Sequence, residues 1–73
     1  MFKKHFGRFV ATYSKGDTYI TVHAYGREVD VINISHIDSP TLTREQFLNE
    51  VADNAAYIDG AYATEDILML PIS

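Results

Sequence analysis

The sequence predicts one small α+β domain: a three-stranded antiparallel β-meander, one amphipathic helix packed on one face, and a short C-terminal helix or strand. Three observations carry that prediction. Residues 7–25 alternate apolar and polar with period two. A helix-start signal of two agreeing parts surrounds Thr43. Residues 44–58 place their apolar side chains on one helical stripe.

The first strand runs from Gly7 to Ser14, with Phe9, Ala11 and Tyr13 on one side and Arg8, Val10 and Thr12 on the other. Lys15-Gly16-Asp17 is a short polar connection. Thr18 to Tyr25 alternates again, Ile20, Val22 and Ala24 against Tyr19, Thr21, His23 and Tyr25. The Phe9 and Ile20 sets are the more apolar and form the inner face. Gly26-Arg27 is a second tight turn and Glu28–Ile37 a third strand. Its alternation slips, because Val29 and Val31 face one way and Ile32 and Ile34 the other. A bulge near Val31-Ile32 accounts for the slip; a strand covered on both faces accounts for it as well. Asp38-Ser39-Pro40 then ends the sheet.

Thr43 is the expected N-cap, with Gln46 completing a capping box and Leu42 able to staple onto Phe47. Phe47, Leu48, Val51, Ala55 and Ile58 form the stripe, with Ala52 at its edge, and Gly60 stands where a C′ glycine would close the helix. In the last segment Thr64-Glu65-Asp66 resembles a helix cap with first-turn acids. Ile67 to Leu70 suits either a short helix or a strand, and all four side chains are expected to be buried.

Seventy-three residues allow a single domain, 1–73, with residues 1–6 read as a frayed basic end. With no cysteine, disulfides and thiolate metal sites are excluded, so a compact core or a homodimer must supply stability. No apolar run reaches the ~20 residues of a membrane span, and cytoplasmic residence is the expectation. The net charge of −4 is segregated: residues 1–15 carry four cations and no acid, while the remainder carries ten acids against Arg27 and Arg44. That body repels nucleic acid and attracts basic surfaces.

Catalytic patterns are missing. No nucleophile elbow, phosphate-binding glycine loop or calcium loop occurs, and the acid pairs need a desolvating cleft that so small a sheet rarely encloses. His5, His23 and His36 are scattered; His36-x-Asp38 supplies two ligands where a zinc site takes three or four. The expectation is a non-enzymatic module without metal or cofactor.

Two surfaces suit a protein partner. The outer helix face, Glu45, Gln46, Asn49, Glu50, Asp53 and Tyr57, is an acidic ridge ending in an aromatic. The alternative is the sheet face of Tyr19, Thr21, His23 and Tyr25. The expected role is protein binding to a basic surface, in one version as an inhibitor that occupies a nucleic-acid-binding groove, by analogy of size and charge with small phage and mobile-element proteins. The competing roles are a nucleic-acid binder using the basic N-terminal segment with the tyrosine face, and a self-associating structural subunit.

Overall fold

The computed structural model describes residues 1–37 and 41–73. Its sheet has four strands: β1 (Phe2–Phe6), β2 (Phe9–Tyr13), β3 (Tyr19–Ala24) and β4 (Arg27–Asn33), antiparallel in the order β1-β2-β3-β4. Two helices follow, α1 (Arg44–Ala61) and α2 (Thr64–Leu68).

The meander expected from the sequence is therefore one strand short. Residues 2–6, read as a frayed end, pair with β2 from Phe2↔Tyr13 to Phe6↔Phe9. Aromatic contacts hold the added strand at both ends. The Phe2 ring lies 5.6 Å from Phe47 and 6.3 Å from Tyr13, and Phe6 lies 5.4 Å from Phe9. Lys3 and Lys4 between them are exposed on an edge strand, where lysine discourages further pairing. The two-residue loop Gly7-Arg8 closes the hairpin, with Gly7 at φ +54° where a side chain is disfavoured.

β2 and β3 bury the side chains expected of them: Phe9, Ala11, Tyr13, Ile20, Val22 and Ala24 all lie in the core. The register with β4 shifts between Val22↔Asp30 and His23↔Glu28, so Val29 has no opposite residue. The bulge thus sits at Val29, two residues before the position expected. The shift turns Ile32 and Ile34 into the core rather than onto the outer face, and leaves Val31 half exposed. β4 also ends at Asn33, not Ile37; a turn closed by the Ile37 amide donating to the Ile34 carbonyl (3.0 Å) follows it. Asp38-Ser39-Pro40, expected to end the sheet, lies outside the described residues.

α1 starts as expected. The Gln46 amide donates to Thr43 Oγ1 at 3.1 Å, and the Thr43 amide donates to Gln46 Oε1 at 2.9 Å. Leu42 and Phe47 are both buried, as a staple requires. Phe47, Val51 and Ile58 enter the core, with Leu48 packed beside them. The helix runs three residues beyond Ile58, and Gly60 lies inside it rather than past its end. Its cap is Tyr62, in extended conformation. No left-handed glycine is needed there, because the Arg8 side chain donates to the carbonyls of Asp59 and Tyr62.

The last element is helical, with Ala63 rather than Thr64 at its N-cap position. Only Ile67 of the Ile67–Leu70 run is buried; Leu68 and Met69 are exposed. Among the described residues, every buried one in the core is apolar.

Candidate functional site

Four of the six helix-face residues form one outward row. Glu45, Asn49, Asp53 and Tyr57 recur at intervals of four along α1 and all are exposed, Tyr57 to 70%. Ala52 and Ala56, also exposed, run beside them. These small side chains leave the helix backbone open to close approach. Glu45 and Asp53 make no ion pair among the described residues.

The other two do not belong to that row. Gln46 spends its side chain on the capping box. Glu50 is only 16% exposed in its side chain, and its Oε1 lies 3.4 Å from His36 Nε2 on the turn after β4. Its own carbonyl accepts from Asn54 Nδ2 at 2.8 Å. Glu50 therefore serves the contact between α1 and that turn, and the sequence-predicted ridge narrows by one column.

The sheet-face set is also altered. Tyr19, Thr21 and His23 lie opposite the core side, Tyr19 exposed and the others half-buried. Tyr25 does not continue their row. It occupies the β3–β4 loop with Gly26, at φ +52° beside Gly26 at +76°. What sequence reasoning missed is the contribution of β1. Register carries Lys3 into line with Thr12, Thr21 and Val31, and His5 into line with Val10, His23 and Glu28. The signal was present in the Phe2/Phe6 spacing before a glycine, but three consecutive polar residues obscured it.

Behind these faces, polar side chains fasten the elements together. Arg8 Nη1 lies 3.2 Å from Asp59 Oδ1, and its Cζ stands 4.7 Å from the Phe9 ring centroid. The Tyr62 hydroxyl donates to Asp30 Oδ2 at 2.8 Å. That hydrogen bond, with burial and the Asp30 charge, pushes the Tyr62 pKa up to about 12. The Tyr13 hydroxyl accepts from the Leu42 amide at 3.1 Å.

A depression of about 240 Å³ lies beside Tyr13, between Thr18, Ile34 and Leu42. It is smaller than the roughly 300–1,000 Å³ usual for ligand pockets. No group of three or more metal-binding side chains occurs among the described residues, and Asp38 of the His36-x-Asp38 pair lies outside them. No helix among them is long and apolar enough to cross a membrane. No known protein family, curated protein or solved structure matches the chain.

Proposed function

We propose that the chain is a non-enzymatic protein-binding module whose α1 face docks on a basic surface of a partner. One observation carries the reading: the row Glu45, Asn49, Asp53 and Tyr57 is exposed along three turns of α1, and the fold uses neither of its charges. A tyrosine so exposed on a helix offers a large contact area at low entropic cost. Flanking carboxylates steer an Arg- or Lys-rich partner toward it. A partner whose basic surface is itself a nucleic-acid-binding groove would be inhibited by such occupation.

The test is titration of isotope-labelled protein with an arginine-rich helical peptide, with circular dichroism as the folding control. Amide shifts are expected at Glu45, Asn49, Asp53 and Tyr57, and affinity should fall as salt rises. Glu45→Lys with Asp53→Lys should abolish the interaction without unfolding the chain. Undiminished binding by that variant, or shifts confined to the sheet, would sink the proposal.

A second reading is favoured by one specific placement. β1 brings Lys3 and His5 onto the face of Tyr19 and His23, a combination of cation and aromatic suited to single-stranded nucleic acid. An oligonucleotide in the same titration discriminates: shifts at Lys3, His5, Tyr19 and His23, lost in Lys3→Glu, would favour this reading over the first.

A further inference from the structure

In residues 68–73 the backbone is held at Leu68, Leu70 and Ser73, while the side chains of Leu68, Met69 and Ile72 stay exposed. Arg27 donates through Nε to the Leu70 carbonyl (3.3 Å), through Nη2 to that of Leu68 (3.5 Å) and through Nη1 to that of Tyr25 (2.7 Å). The Ser73 amide and hydroxyl both donate to the Gly26 carbonyl, at 3.0 and 3.2 Å. This network ties the segment to the β3–β4 loop. Yet Met69 and Ile72 are 84% and 75% exposed, and Leu68 and Tyr25 are about half exposed. Core burial explains none of these four side chains.

Tyr25 adds an independent oddity. Its φ of +52° lies in the left-handed region, which an aromatic residue enters at a cost and asparagine or glycine enters cheaply. A two-residue loop with both φ values positive is normally built from Asn-Gly. Folding alone thus gives no reason for an aromatic here. One guanidinium gathers the carbonyls of this residue and of the exposed Leu68.

The surrounding charge selects the occupant. Glu65 and Asp66, both exposed, stand one turn before Leu68 and Met69 along α2. Arg27, the cation at this end, is engaged by three carbonyls. A second copy docking through the same patch would bring two acidic rims together, since Glu65 and Asp66 border it on each copy. An anionic membrane surface would meet the same repulsion. An apolar strip with Arg or Lys on its flanks meets attraction at the rim and burial at the centre. Because the backbone is already fixed, little ordering cost remains to be met on binding.

We propose that Tyr25, Leu68, Met69 and Ile72 form a docking surface for an apolar segment of a partner protein that carries Lys or Arg on its flanks. This surface shares no residue with the α1 row, and the proposal does not depend on that row. The probe is a synthetic helical peptide of roughly 14 residues with a leucine face and lysine flanks, set against the same peptide with glutamate flanks. The lysine peptide should shift the amides of Tyr25 and residues 68–73, and the glutamate peptide should not bind. Met69→Ser with Ile72→Ser changes only exposed side chains, so the fold should persist while affinity falls by about tenfold or more. Glu45→Lys with Asp53→Lys should leave this binding in place. Equal binding of both peptides, undiminished binding by the serine variant, or shifts mapping elsewhere would each overturn the proposal. So would concentration-dependent dimerisation that the serine variant removes, which assigns the patch to a second copy.

Discussion

Arg8 is the polar side chain that makes the most contacts between the β1–β2 loop and the end of α1. It joins the β1–β2 loop to the end of α1, more than fifty residues away in sequence. Its Nη2 donates to the carbonyls of Asp59 (3.4 Å) and Tyr62, Nη1 meets Asp59 Oδ1 at 3.2 Å, and the guanidinium covers the Phe9 ring. The side chain is 25% exposed and that of Asp59 is 61% exposed, so the ion pair itself contributes only ~0–1 kcal/mol. Charge-assisted bonds to the carbonyls contribute more, about 1–2 kcal/mol together after allowing for partial exposure. The cation–π contact adds ~0.5–1 kcal/mol. Buried Nε has no partner among the described residues, which offsets about 1 kcal/mol. Arg8→Ala should therefore destabilise by about 2 kcal/mol, a large share of the ~4–11 kcal/mol available to a chain of this size. In a thermal melt followed by circular dichroism that corresponds to a fall in Tm of roughly 8–16 °C. Arg8→Lys should recover less than about half, because an ammonium cannot reproduce the planar fork. Asp59→Asn should stay within ~0.5 kcal/mol. A melt of Arg8→Ala indistinguishable from wild type, or Asp59→Asn as damaging as Arg8→Ala, would refute this account of how α1 is terminated.

Two further outcomes follow from single contacts. The Tyr62 pKa is raised from 10 to about 12, so the folded state holds the proton more tightly than the unfolded chain. Its contribution is intact below pH 10 and is lost as pH rises toward 12, so urea midpoints of wild type and Tyr62→Phe should converge across that window. Tyr25→Asn should raise stability by roughly 0.5–1 kcal/mol by relieving the left-handed aromatic, while weakening the basic amphipathic peptide; a destabilised variant would show that Tyr25 serves the fold.

Much of the fold was legible because several local signals agreed. Phe9 to Ala24 alternates with β-branched and aromatic residues, and one strand face is plainly the more apolar. Thr43, Gln46, Leu42 and Phe47 fix the same helix register by two devices, and the structure uses both. What stayed illegible was decided at long range. α1 continues past Gly60, and Arg8 meets the Asp59 carbonyl in its last turn and that of its cap Tyr62, which no local pattern reveals. Asp30 is tied to Tyr62 and Arg27 to the carbonyls of residues 68 and 70, on either side of the bulge at Val29. β1 was hidden because its solvated lysines occupy the centre of a short edge strand, and its aromatic anchors stand at the ends. The helix face was drawn one column too wide for a different reason. Gln46 cannot both close the capping box and face a partner, and Glu50 meets a histidine from a turn whose position depends on where β4 ends.

These same fastenings change what the net charge means. The positive segment 1–15 is not a basic patch once folded. Lys3 lies on the outer sheet face, Lys4 shares the side of Ala11 at the edge, Lys15 is exposed in the β2–β3 connection, and Arg8 is spent on α1. Arg27 is likewise spent on carbonyls. Among the acids, Asp30, Glu50 and Asp59 have side-chain partners, whereas Asp17, Glu28, Glu45, Asp53, Glu65 and Asp66 have none among the described residues. Four of these six uncommitted acids lie on the two helices, the others on β4 and in the β2–β3 connection. Both proposed surfaces draw on the helical acids, but in different proportion. The α1 row attracts through charge, which salt screens over about 8 Å at physiological ionic strength. The Leu68–Ile72 patch adds apolar burial, which salt does not screen. Of the two, the Leu68–Ile72 patch should keep the larger share of its affinity as salt rises, and the α1 row the smaller.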